Sequence, residues 1–190
     1  MNIPQIIPST TSPLFVLVIA LCLSFTNVHA QISLGGFAGP IALATHVDGE
    51  SAFLAGGGAA LMIGSHLYVG LYGTAMSGRI ARSIQMEEFQ IGYTQIGIWT
   101  GAIINPTNKL QATVNTYLGM ARLAAQDNSL KDRTVQLGPH IGIQYAVLEF
   151  MRIEVLGGYR FSTKANKSLF ENSNLHAPFG GINLKFGDFN

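Results

Sequence analysis

VQLGPHIGIQYAV, residues 135–147, alternates between two kinds of side chain. The odd positions are Val135, Leu137, Pro139, Ile141, Ile143, Tyr145 and Val147. The even positions are Gln136, Gly138, His140, Gly142, Gln144 and Ala146. Successive side chains of a strand point to opposite faces, so this period predicts a β-strand with one apolar face and one polar or small face. The next run repeats it: Ile153, Val155, Gly157, Tyr159 and Phe161 alternate with Arg152, Glu154, Gly158 and Arg160.

Working outward, the same period covers most of the chain after residue 30. Phe37, Gly39, Ile41, Leu43, Thr45 and Val47 share one face of a first strand. Asp48-Gly49 reads as the hairpin turn that follows, because Gly adopts positive φ at no steric cost. A second strand over about 51–63 and a third over about 66–76 are joined at Gly64-Ser65. A fourth covers about 86–103, and the cluster Asn105-Pro106-Thr107-Asn108 turns it into a fifth over about 109–124. Leu110, Ala112, Val114, Leu118 and Met120 form one face of that fifth strand. The sixth and seventh are the two runs above, joined near Leu148-Glu149. An eighth covers about 178–187, where Ile182, Leu184 and Phe186 oppose Asn183 and Lys185. In the fourth strand Phe89, Ile91 and Tyr93 are out of phase with Ile96 and Ile98, which predicts a bulge. Pro139 cannot donate to a ladder and predicts a bulge or a strand start.

Composition narrows the class. Only 11% of residues are charged, against roughly 25% in an ordinary soluble domain. The formal net charge of +1 leaves no basic excess for nucleic acid. Many of the 22 glycines sit inside apolar stretches, which argues against a helical bundle. A disordered chain, a disulfide scaffold and a typical soluble enzyme are excluded on the same grounds. The connections after strands three, five and seven (77–85, 126–132 and 164–176) are long and polar, and those after two, four and six are short. Asp48-Gly49 alone breaks the alternation. Long loops at one end and short turns at the other are the layout of outer-membrane barrels. The predicted fold is all-β: an eight-stranded antiparallel up-and-down transmembrane β-barrel.

A soluble lipocalin-like barrel would alternate too, with its apolar face inside. The polar set here is too thin to solvate an exterior, because Gly and Ala fill most of it. Charges are also scarce at mid-strand, as expected where a lipid-facing Lys or Arg costs about 2–4 kcal/mol. The apolar faces are therefore expected to meet lipid. Arg152, Glu154, Arg160 and Lys185, with Gln136, His140, Gln144 and Asn183, are expected to form a polar cluster in the lumen. Eight strands enclose a lumen just wide enough for side chains to fill, so a plugged interior is expected rather than a pore. Arg122 lies on the apolar face near a strand end, where it can snorkel to headgroups. Residues 51–78 and 89–108 carry no charge and are long enough for spanning helices. Gly56-Gly57-Gly58, Gly64, Gly70 and Gly73 in the first, and Gln90, Thr94, Gln95 and an Asn-Pro pair in the second, oppose that alternative.

The N-terminal stretch reads as an address. Leu14–Phe25 is an uncharged run, LFVLVIALCLSF, shorter than the about 20 residues a spanning helix needs. Val28 and Ala30 suit a signal-peptidase site, with cleavage between Ala30 and Gln31. The expected division is a signal peptide at 1–30 and a barrel domain at 31–190. Leu21 stands where a lipobox wants a small residue, so Cys22 reads as part of the signal core. A chain processed there holds no cysteine.

Gly35-Gly36-Phe37-Ala38-Gly39-Pro40, Gly157-Gly158-Tyr159-Arg160-Phe161 and the closing run Gly180-Gly181-Ile182-Asn183-Leu184-Lys185-Phe186-Gly187 carry a family resemblance. The chain resembles small eight-stranded outer-membrane β-barrel proteins of Gram-negative bacteria. The resemblance implies the outer membrane as location, outer-membrane lipid as surroundings and the barrel-assembly machinery as a partner during biogenesis. It brings no catalytic or ligand residues. Phe189 is followed by Asn190, a departure from the closing aromatic usual in such barrels.

No cofactor or metal motif is visible. His46, His66, His140 and His176 lack ligand spacing, and Gly56-Gly57-Gly58 is followed by Leu61 where a dinucleotide fingerprint wants a small residue. His176 shares the last long loop with Ser168 and Ser173, which an envelope hydrolase would require, but chance placement in a polar loop explains it. Tyr68, Tyr72, Tyr93, Trp99, Tyr145, Tyr159 and Phe161 read as interface girdle or lumen packing. The expected role is structural or surface contact, without enzymatic activity. The alternative is a barrel that holds a lipid or small apolar ligand.

Overall fold

The computed structural model describes residues 34–47, 49–78, 80–84, 87–125, 131–163 and 175–189. The expected signal sequence, its cleavage site at Ala30–Gln31, and Ser168 and Ser173 lie outside them. The strands are β1 (Leu34–Val47), β2 (Glu50–Ile63), β3 (Leu67–Met76), β4 (Ile80–Ile84), β5 (Glu87–Ile104), β6 (Leu110–Ala125), β7 (Lys131–Leu148), β8 (Met151–Ser162) and β9 (Ala177–Asp188). Every neighbouring pair is antiparallel, β1 pairs with β9, and β3 pairs with β5. Those two pairings close eight strands into an up-and-down barrel. The ninth, β4, is an extension: Ile80–Ile84 pairs only with the start of β5, from Glu87 to Ile91. A strand thus occupies part of the span read as the polar loop 77–85.

Residues 51–78 form β2, a turn and β3, and 89–104 lie in β5, so neither is helical. The tight turns use glycine where the backbone demands it. Gly49 has φ 85° and Gly64 has φ 61°, a region that costs other residues steric strain.

The two-residue period is kept in every barrel strand. One register joins β5 to β6 without a break from Ile91↔Ala125 to Ile104↔Ala112. The expected bulge in the fourth strand is therefore absent. Ile91, Tyr93, Trp99 and Ile103 all point inward and are buried, whereas Ile96 and Ile98 point outward. The two apolar sets are opposite faces of one regular strand. The irregularity lies instead between Ala146 and Leu148, where β7 meets β8. Pro139 starts no strand and makes no bulge. It pairs with Thr116 of β6, and the ladder to β8 skips Gly138 and Pro139 while keeping its register.

The outward face carries Leu61, Leu71, Ile96, Ile141 and Val155, exposed by 58, 68, 68, 68 and 60%. The exposed Arg122 lies on the same face, with Arg133 as its Cα partner. The first strand departs from the expected direction. Phe37, Ile41, Leu43 and Val47 are buried inside. Its outward residues are small from Gly36 to Ala44 (Gly36, Ala38, Pro40, Ala42 and Ala44), with Leu34 and His46 exposed at the two ends. These are also compatible with lipid, and the larger set is needed to fill the lumen beside it. The interior consequently has two halves. Strands β1, β2, β3 and β5 supply Phe37, Leu54, Met62, Tyr68 and Trp99, and strands β6 to β9 supply most of the buried polar groups among the described residues, Thr45, Thr74 and Gln95 being the others.

Candidate functional site: the charge network inside the barrel

At the centre of the polar half is Glu154 on β8, fully buried. Its register partner on β9 is Asn183, and Arg152 is opposite Lys185. Strand alternation sends Arg152, Glu154, Asn183 and Lys185 to the same side of the sheet. Lys185 forms a 3.1 Å ion pair with Glu154 Oε2. Asn183 Nδ2 donates to that same oxygen at 2.8 Å. The other oxygen, Oε1, accepts from Thr113 Oγ1 at 2.5 Å and Asn115 Nδ2 at 3.1 Å. Four donors surround one carboxylate, an arrangement that offsets the cost of taking it out of water.

The network extends from both members. Lys185 Nζ also donates to Gln144 Oε1 at 3.0 Å. Gln144 Nε2 and Arg152 both donate to Gln111 Oε1, at 2.6 and 2.8 Å. The Arg152 guanidinium lies 4.0 Å from the centroid of the Phe189 ring. On its other side Lys185 faces the rings of Phe37, Tyr68 and Trp99 at 5.2, 5.2 and 5.3 Å. The ammonium therefore joins the two halves of the interior, since a ring face attracts a cation. Tyr68 donates its hydroxyl proton to Asn115 Oδ1 at 2.5 Å.

Glycines on the inner face make the room. A Cβ added to Gly142 would lie 2.7 Å from Thr113 Oγ1 and 2.9 Å from Glu154 Oε1. One added to Gly58 would lie 3.1 Å from the Trp99 ring.

The remaining cluster residues sit around this core. His140 stacks on Tyr117 with centroids 4.5 Å apart, and its Nδ1 is 3.0 Å from the Gly138 carbonyl. Tyr117 in turn accepts from Asn183 Nδ2 at 3.3 Å. Gln136 Oε1 accepts from Tyr93 Oη and Gln95 Nε2, each at 2.6 Å. Arg160 donates through Nε to the Leu175 carbonyl at 3.0 Å and through a terminal nitrogen to the His46 carbonyl at 2.6 Å. The structure thus brings Glu154, Lys185, Asn183, Gln144 and Arg152 into one network. Gln136 and Arg160 form a separate group.

Sequence reading missed Gln111, Thr113 and Asn115. They alternate with Leu110, Ala112 and Val114, so the inner face of the fifth strand was signalled by its outer one. It also missed the part of Phe37 and left Trp99 between girdle and lumen, because apolar character alone gives no direction; Trp99 is buried in the lumen. His176 is exposed, with Nδ1 accepting from the Ser162 amide at 3.4 Å. Among the described residues no three His, Cys, Asp or Glu side chains are grouped to hold a metal.

The comparisons bear on the architecture. Neisserial surface protein A matches with a TM-score of 0.59 at 13% identity, over 83% of this chain and 97% of that one. The fold is that of a small outer-membrane barrel. Ail, the attachment invasion locus protein of Yersinia pestis, aligns with a TM-score of 0.47 at 10% identity, over 83% of this chain and 99% of that one. No protein-family model matches the chain, and the search of curated proteins finds no relative.

Proposed function

We propose that the chain is exported, cleaved between Ala30 and Gln31, and inserted in the outer membrane as a plugged barrel with a structural or surface-contact role. Outer-membrane lipid covers its flank, and the barrel-assembly machinery inserts it. The end that carries the loops read at 77–85, 126–132 and 164–176 is its outer face. One observation carries this reading: large apolar side chains ring the exterior while Glu154 and Lys185 are paired at the centre. A soluble barrel would show water the reverse, and contiguous apolar patches of this kind mark a surface meant to be covered.

The lumen serves as a strut in this reading. The cavity beside Gln136 and Arg160 is about 20 Å³, which is far too small for an acyl chain. That weighs against lipid held at this point of the lumen, and the larger pocket of about 380 Å³ at the opposite end, beside Gln111, Arg152 and Phe189, is lined mainly by polar groups. The barrel has no catalytic role in this reading. The test is fractionation of cells expressing the full chain. The protein is expected in outer membranes, with β-type circular dichroism in detergent and a heat-dependent shift in gel mobility. Recovery from the soluble periplasm would refute the proposal.

A further inference from the structure

Arg160 is a buried cation whose partners are neutral. Only 4% of it is exposed. Its two hydrogen bonds go to carbonyls, one at the end of β1 and one just before β9. Among the described residues no carboxylate forms an ion pair with it, while Glu154 is engaged by Lys185. A guanidinium has five N–H donors and no acceptor, so these bonds leave donors over.

The second observation is independent. Gln136 is 3% exposed, and its Nε2 has no hydrogen-bond partner. Its Oε1 is held by Tyr93 and Gln95, which fixes the amide with its donor side free. Buried donors are nearly always satisfied. Both Arg160 and Gln136 line the same cavity of about 20 Å³, together with Gln95, Leu43, Leu54 and Phe179. A cavity needs about 10–15 Å³ on this measure to hold one water-sized particle.

We propose that this cavity binds one monoatomic anion of the halide class, held between the Arg160 guanidinium and Gln136 Nε2. Gln136 Nε2 and the N–H groups that Arg160 has over are donors, one of the two side chains being charged, and the Tyr72 hydroxyl on the same wall can donate as well. An anion satisfies both and neutralises the cation, whereas a water molecule supplies no charge. Because Arg160 ties the end of β1 to the segment entering β9, the anion secures the loop end of the barrel.

The experiment uses protein purified from membranes of cells expressing the full chain, with bromide as probe. Crystals grown in sodium bromide are expected to show an anomalous peak within hydrogen-bond reach of both Arg160 and Gln136 Nε2. In detergent, bromide in place of gluconate at equal ionic strength is expected to raise the melting temperature saturably. Gln136→Leu keeps the cation and removes one donor. It should weaken the bromide dependence about tenfold or more, the value of a charge-assisted hydrogen bond. A wild-type cavity that holds water and no bromide overturns the proposal. So does a melting temperature indifferent to bromide, or a Gln136→Leu protein that responds as the wild type does.

Discussion

Glu154 and Lys185 are the residues on which the interior depends most. Removing one partner of a buried pair leaves an uncompensated charge, at a cost of about 3–5 kcal/mol. Lys185→Met should therefore destabilise the barrel by that order, as read from urea unfolding in detergent. Adding Glu154→Gln to it should restore much of the loss, because the orphaned carboxylate is then gone and the amide keeps hydrogen-bonding capacity. Strictly additive losses would show that the two residues do not act as a pair. Gly142 tests the same site sterically. Gly142→Ala places a methyl 2.9 Å from Glu154 Oε1. Overpacking of this kind costs about 1–3 kcal/mol, measurable in the same unfolding assay.

Among the elements, β1 is the informative one. Phe37, Ile41, Leu43 and Val47 fill the lumen, and small residues face outward. On β8 the order is reversed: Val155 is outside, and Arg152, Glu154 and Arg160 are inside. Alternation shows that a strand has two faces, and polarity identifies the inner one only where one face is polar. Arg152 and Glu154 made β8 legible. In β1 both faces are apolar, so neither its direction nor the pairing of Phe37 with Lys185 could be read from the chain. The same ambiguity produced the supposed bulge in β5. Cysteine scanning checks the assignment, since Cys22 is the chain's single cysteine and falls in the expected signal. In the membrane, Ala42→Cys should react with a lipid-soluble maleimide and Leu43→Cys should resist it. The opposite result would turn β1 over.

At the scale of the molecule, eight strands leave no unpaired edge, which a bilayer requires. The exterior then tolerates charge only near its rims, where Arg122 and Arg133 lie. Ile141 is 68% exposed in mid-strand. Ile141→Arg should cost about 2–4 kcal/mol in lipid, as read from folding titrations in vesicles. A change near zero would argue that Ile141 does not face acyl chains. The filled interior also predicts no steady ion current from the barrel in a planar bilayer. A stable conductance would contradict the plug.

The positions of the eight barrel strands and of the turns between them are local properties, whereas β4 lies where the chain reads as a polar loop. They follow from a period of two and from residues such as Gly49 and Gly64 that alone suit their backbone, so the chain carries them without help from distant contacts. Thr113 and Asn115 could also have been read, as the positions alternating with Leu110 and Val114. Which way β1 and β5 face, and which donors reach Glu154, arise when the ring closes. Volume is the reason: a closed lumen must be filled by whatever its walls jointly supply, so the large residues of one side turn in to meet the charges of the other.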